Sequence, residues 1–343
     1  MKLGVTIGYS GDLKASIARA VALEAAGVNV LWVPEAYGFD AVSLMGYLAA
    51  KTSRAQIGSA ILPIFSRTPA LTAQTAAGLD FVSEGRFILG LGTSGPQVVE
   101  GWHGVPYDHP MPRTREVIDI CRQIWRRENA VYDGNHYQLP LSEARGSGLG
   151  KPLHIIQRPV RARIPIYVAA LGERNVAMTA EKAEGWLPIF YWPEKANDVW
   201  GAALTRGFAK RQPDMPPLEV AAGGPLAIGE GLEHLRDKDR PHAALYIGGM
   251  GARDANYYND LACRYGFEAE ARQVQDLYLA GQHKAAAEAV PAKLLEGTSL
   301  IGPPAYIKER LAAYREAGVT ILNVSPIGEE PVREVEKLRE LMA

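Results

Sequence analysis

Short apolar runs and longer amphipathic segments alternate from the start of the chain. Leu3–Tyr9, Val28–Pro34, Gln56–Leu62 and Phe87–Gly92 are too short for helices and read as strands. Between them, Leu13–Ala26, Ala41–Thr52 and Pro69–Val82 carry apolar residues at helical spacing, the first stopped by Gly27. The run VNVLWVP is apolar nearly throughout, as expected of a strand buried on both faces. Regular strand–helix alternation makes each strand parallel to the last.

Further on the pattern loosens. Pro112–Glu128 places Val117, Ile118, Cys121, Ile124 and Trp125 on one helical face. Residues 129–164 are rich in Gly, Pro and polar residues, and DGNHYQLPL within them reads as a short hairpin. Strands are expected at Ile164–Ala170, Gly185–Phe190, Glu219–Ile228 and Val319–Ser325, with helices at Asn175–Ala183, Val199–Lys210, Pro304–Ala317 and Val332–Met342. Residues 229–300 read as mostly helical, with pieces at His242–Ile247, Ala252–Tyr265 and Glu268–Ala280. The expected fold class is α/β: one (β/α)8 TIM barrel over residues 1–343, with insertions after strands 4 and 7.

Composition narrows the function. A formal net charge of −1 argues against nucleic acid or an anionic membrane as partner. No apolar run is long enough to cross a bilayer. The start MKLGVTIGYSG enters a strand without a signal-peptide pattern, and the two cysteines, Cys121 and Cys263, are scattered, so a cytoplasmic home is expected. Scattered histidines and no paired cysteines leave no metal site.

In such a barrel the chemistry lies at the C-terminal ends of the strands. The expected mouth holds Tyr9 and Ser10, then Glu35, Ala36 and Tyr37, then Ala60, Ile61 and Leu62, then Gly92, Thr93, Ser94 and Gly95. The later strands add Leu171, Gly172, Glu173 and Arg174, and then Trp186 and Tyr191 as pocket walls. Trp102 and His103 follow the Gly92–Gly95 loop, and Arg67 and Arg113 bring positive charge nearby, although surface arginines are ordinarily solvated. Glycines in that loop let a ligand approach the backbone. LGERN opens a helix, whose free N–H groups could hold a phosphate beside Arg174. Aromatics and glycines with few titrating groups suit a planar redox cofactor better than acid–base hydrolysis.

Several segments resemble the luciferase-like flavin and deazaflavin oxidoreductases: EAAGVNVLWVPEAYGFD (24–40), IGSAILPIFSRTPALTAQTAAGLDFVSEGRFILGLGTSGP (57–96), RTREVIDICRQIW (113–125) and GERNVAMTAEKAEGWLPIFY (172–191). The chain looks most like the branch that uses coenzyme F420. The resemblance implies a deazaflavin at the mouth, its ring backed by a non-proline cis peptide that falls on Ala60-Ile61. It places the cofactor phosphate on Gly92–Gly95 and Leu171–Arg174, and it implies a homodimer formed through rim helices. Glu35, the candidate catalytic residue and also a candidate cofactor-binding one, matches the acid that ends strand 2 in deazaflavin relatives, but Ala36 stands where several carry histidine. Ser94, Gly95 and Pro96 replace the glutamate of sugar-phosphate dehydrogenase relatives. The expectation is a hydride-transferring, F420-dependent oxidoreductase with a small organic substrate held among Tyr9, Tyr37, Trp102, Trp186 and Tyr191. Residues 97–110 and the excursion to 164 would shape that pocket. An FMN-dependent monooxygenase of the same fold, and a flavin-binding protein without turnover, are the competing readings.

Overall fold

The computed structural model describes every residue except Ser10, Asp254 and Ala343, so the expected contribution of Ser10 lies outside the described residues. Eight parallel strands close on themselves. They are β1 (Lys2–Thr6), β2 (Val30–Val33), β3 (Gln56–Ser59), β4 (Phe87–Gly92), β5 (Ile166–Val168), β6 (Gly185–Trp186), β7 (Glu219–Ile228) and β8 (Ile321–Pro326). Closure is made where Lys2 pairs with Ile321, and β7 bridges β6 and β8 through Glu219↔Gly185 and Ala221↔Ile321. The outer ring is α1 (Leu13–Ala25), α2 (Ala41–Lys51), α3 (Pro69–Val82), α4 (Pro110–Trp125), α5 (Glu173–Lys182), α6 (Pro193–Phe208), α7 (Pro304–Glu316) and α8 (Pro331–Met342). No helix among the described residues is long and apolar enough to cross a membrane, and no cluster of His, Cys, Asp or Glu could hold a metal ion.

The barrel interior is filled by pairing large side chains with glycine. Trp32 is buried and lies against Gly4 and Gly58, where a Cβ would collide with its indole. Tyr167 occupies the space left by Gly185, and the two rings are 5.6 Å apart. Each polar end has a partner, as burial demands. Trp32 Nε1 donates to Asn323 Oδ1 at 2.8 Å, and the Tyr167 hydroxyl donates to Glu219, which also pairs with Lys2. Above this plug lie the partly accessible side chains of Ala60 and Leu187.

Both insertions are present, and they do different things. The segment after β4 forms a short helix, Pro96–Val99, and a loop that leads into α4. The excursion follows α4 and so starts at the N-terminal face of the barrel, away from the mouth. Its hairpin, Tyr132–Asp133 with Gln138–Leu139, climbs back so that only the tip reaches the start of α4. There Glu116 accepts the N–H groups of Asn135, His136 and Tyr137, and His136 stacks on His109 at 4.9 Å. The segment beyond the tip returns to the foot, where Arg161 binds Asp80 and the Phe87 carbonyl. The expectation that this whole excursion shapes the pocket is therefore corrected to its tip.

The second insertion leaves the end of β7 and packs helices at Arg240–Ala244, Tyr257–Arg264 and Glu268–Leu279, with shorter ones at His283–Glu288 and Ala292–Gly297. It ends in an unexpected strand, Leu300–Gly302, which pairs with the last residues of β7 on the edge that β6 has left.

Candidate active site

The mouth has a flat, small-residue shelf. β3 ends at Ser59, the Ala60-Ile61 peptide is cis, and pairing with β4 resumes at Leu62↔Leu91. The cis bond stands where the resemblance placed it. The Ile61 side chain lies across Gly92, where a Cβ would come within 2.8 Å of Ile61 Cγ1 and 3.5 Å of Ala169 Cβ. Ala60, Ile61, Ala169 and Leu187 are partly accessible and form the floor above the Trp32–Tyr167 plug. Leu62 points the other way into the shell between barrel and helices, so only its backbone faces the shelf.

One side of the shelf is bounded by loops that offer unsatisfied backbone. The turn Thr93–Gly95 leaves β4 with Ser94 in the left-handed region, φ 55°. Tyr107 folds back over it, its hydroxyl 3.2 Å from Thr93 Oγ1 and 3.3 Å from the Ser94 carbonyl. Next to it, α5 starts at Gly172 with no side-chain cap, leaving its first N–H groups open. Arg174 makes no ion pair or side-chain hydrogen bond among the described residues. Glu173 differs: its carboxylate faces Arg206 at 3.0 Å and Arg264 at 3.7 Å, so it offers backbone and not charge. A cavity of about 440 Å³ opens here between Leu171, Gly172, Tyr257 and Asp260. Another, of about 260 Å³, lies outside the barrel beside Arg122 and Tyr132, away from the shelf.

On the opposite side Glu35 is committed. Arg67 grips both its oxygens at 2.5 and 2.8 Å, and Oε2 also accepts the Ala41 N–H at 2.8 Å. Burial and neighbouring charge therefore hold the carboxylate in a closed pair, and it ties the end of β2 to the start of α2. Both Glu35 oxygens are thus engaged in this geometry. Arg113 is likewise paired, with Asp108 at 2.8 Å, so the positive charge of both arginines is already engaged. Tyr9 donates to the Asp40 carbonyl at 3.0 Å and meets Phe39 edge-on at 5.2 Å. Tyr37 and Trp102 are exposed by 63% and 64%, so as pocket residues they stand at the rim.

Comparison with known proteins bears on the whole chain. The model of the luciferase-like monooxygenase family matches residues 1–320. The chain belongs to this family. It is 38% identical to a Mycobacterium tuberculosis protein named "putative coenzyme F420-dependent oxidoreductase", over 98% of this chain and 99% of that one. It is 25% identical to the 5,10-methylenetetrahydromethanopterin reductase of Archaeoglobus fulgidus, over 91% and 90% of the two chains. Among solved structures, the coenzyme F420-dependent tetrahydromethanopterin reductase of Methanopyrus kandleri superposes with a TM-score of 0.80 at 22% identity, covering 98% and 96%. An F420-dependent secondary alcohol dehydrogenase superposes with 0.75 at 14% identity, covering 100% and 99%. Both superpositions share the barrel fold.

Two expected pocket residues of this family member are corrected. Trp186 is wholly buried, donates to the Ala170 carbonyl and meets Trp200 of α6 at 5.2 Å. Tyr191 is 2% exposed, stacks on Trp200 at 5.5 Å and donates to the Ala317 carbonyl. Both lie between barrel and helices. The reason is parity: successive residues of a strand face opposite ways, so Gly185 and Leu187 look inward and Trp186 outward. The aromatic wall at the mouth comes instead from Phe190 and the second insertion. Phe190 lies 5.6 Å from Tyr246, 5.8 Å from His242 and 6.4 Å from Tyr258. A sequence-level signal for these existed in the tyrosines clustered at 246 and 257–258, but nothing local ties them to the exit of β6.

Proposed function

We propose that the protein is a coenzyme F420-dependent oxidoreductase that moves hydride to or from a small organic substrate. The observation that carries this reading is full-length similarity at 38% to a relative of that description, joined to a shelf that fits a planar ring. The fit rests on this chain's own residues. A side chain at Gly92 would meet Ile61 and fill the shelf, and the uncapped start of α5 with free Arg174 suits a phosphate. A bound deazaflavin supplies a hydride-exchanging carbon.

In this reading Ala60, Ile61 and Leu62 support the ring by shape and backbone. The backbone of Gly92, Thr93, Ser94, Gly95, Leu171, Gly172 and Glu173, with the Arg174 guanidinium, holds the phosphate. Tyr107 keeps the Thr93–Gly95 turn in place. Glu35 and Arg67 fix the far rim, while Tyr9, Tyr37 and Trp102 border the substrate. Residues 1–343 act as one unit.

A homodimer is part of the proposal. Leu71, Phe81 and Val82 of α3 and Tyr47 of α2 expose apolar surface on two helices that are apolar nearly all round, as expected when a partner covers them. Light scattering on the eluting protein tests it, and a monomeric mass at every concentration refutes it. A cytoplasmic location accompanies this reading.

The deciding experiment is a parallel titration with F420 and FMN, followed by tryptophan fluorescence. Tight F420 and weak FMN binding is expected. Preference for FMN moves the assignment to a monooxygenase, and binding of neither refutes the phosphate cradle.

A further inference from the structure

The second insertion puts phenols beside the exit of β6 at the mouth, and their chemistry narrows the substrate. Tyr246 and Tyr258 meet edge-on at 4.7 Å, and both touch Phe190 at the exit of β6. Tyr246 is held above its ordinary pKa by burial and by the nearby Tyr37 phenol, at the exit of β2. Burial and the neighbouring phenols of Tyr246 and Tyr107 raise Tyr258 likewise, and Tyr107 stands at the exit of β4. Strands 2, 4 and 6 are spread around the ring. The contacts with Phe190 place the pair at the exit of β6, where it borders the mouth.

Two further observations point to a ligand. Neither the Tyr246 nor the Tyr258 hydroxyl makes a hydrogen bond among the described residues, and both residues are partly buried. Both hydroxyls keep accessible surface, so each is free to donate to a molecule that enters the mouth. Charged side chains at this mouth are already engaged: Glu35 with Arg67, Arg113 with Asp108, and Asp239 with the His242 ring at 3.3 Å. A charged substrate group would lose its water here, and the free guanidinium of Arg174 is taken by the cofactor phosphate in this reading, so burial of that group is costly. A phenol O–H donates to an oxygen acceptor, and where desolvation of an ion is costly the acceptor that fits is a neutral carbonyl or alcohol oxygen.

We infer that the substrate is a neutral ring compound carrying a carbonyl or hydroxyl, and that Tyr246 and Tyr258 bind its oxygen. This deepens the oxidoreductase reading and rests on it for the reaction, but its binding test does not.

The test uses a matched series against the intact protein by calorimetry, with and without F420: 2-acetylnaphthalene, naphthalene, 2-naphthoate and 2-(aminomethyl)naphthalene. The ketone should bind about tenfold or more tighter than either ion. The Tyr246→Phe/Tyr258→Phe double variant should lose about tenfold in ketone affinity and none for naphthalene. Circular dichroism checks the fold, and Tyr246→Phe alone serves if the double variant is unstable. Equal or tighter naphthoate binding, an unchanged ketone affinity in the variant, or no binding of any member overturns the inference. Loss of F420 binding with the ketone preference intact refutes only the cofactor reading. F420 binding without the preference refutes only this one.

Discussion

At the foot of the barrel, Glu24 takes the N–H groups of Ser53, Arg54 and Ala55, and Arg86 reaches the carbonyls of Ala49, Thr52 and Ala55 and the Thr52 hydroxyl. At the mouth, the phenols of Tyr246 and Tyr258 and the guanidinium of Arg174 take nothing among the described residues. The same chain thus ties up Glu24 and Arg86 at one end and leaves these three groups open at the other. A group already bonded stabilises the fold, whereas an open one has affinity left for a ligand. The difference separates scaffold from site without reference to any relative.

The largest expected effect lies in the plug. Trp32→Ala should cost about 3–5 kcal/mol of stability, because Gly4 and Gly58 on either side of the indole cannot fill the space. Urea unfolding measures it, and a loss below about 1 kcal/mol would mean that the plug is not the scaffold's centre. Glu24→Gln should cost about 1–3 kcal/mol at neutral pH. Burial raises the pKa of this carboxyl, but the three backbone N–H groups outweigh it, and the net value lies below the ordinary carboxylate range. A depressed folded-state pKa gives stability that is present above the unfolded pKa and lost as pH falls through the folded one. The wild-type protein should therefore lose this increment in acid, and the variant's stability should vary less over the same range.

At the mouth the balance should reverse. Arg174→Ala should weaken F420 binding about tenfold, roughly 1.4 kcal/mol, while the unfolding midpoint stays within about 0.5 kcal/mol. A large loss of stability there would erase the contrast between the two ends. Tyr107→Phe stands between them, since its hydroxyl bonds only the Thr93–Ser94 turn. A loss of about 0.5–1 kcal/mol in stability is expected, with a smaller change in F420 affinity than Arg174→Ala produces. Thermal unfolding and the fluorescence titration read the two quantities on the same sample.

Legibility followed the range over which each feature is decided. Pro69–Val82, Phe87–Gly92 and Glu219–Ile228 were bounded correctly from spacing and flanking residues alone, because helix and strand periodicity is a local property. The strand Leu300–Gly302 was missed because three residues carry no period, and only the freed edge of β7 makes them a strand. β6, with two paired residues amid an apolar run, gave no alternation from which to choose a face, and Trp186 was turned the wrong way. The shelf at Ala60-Ile61 was readable only through resemblance.

From sequence alone came the alternation that closes a parallel barrel, the place of both insertions and the small-residue exits of β4 and β5, all set by neighbours in the chain. Tertiary structure alone decided that Glu35 is spent on Arg67, that Trp186 and Tyr191 lie outside the barrel, and that Tyr246 and Tyr258 gather on Phe190 at the exit of β6. Each of those depends on groups distant in sequence meeting in space, and which face meets which is settled by packing.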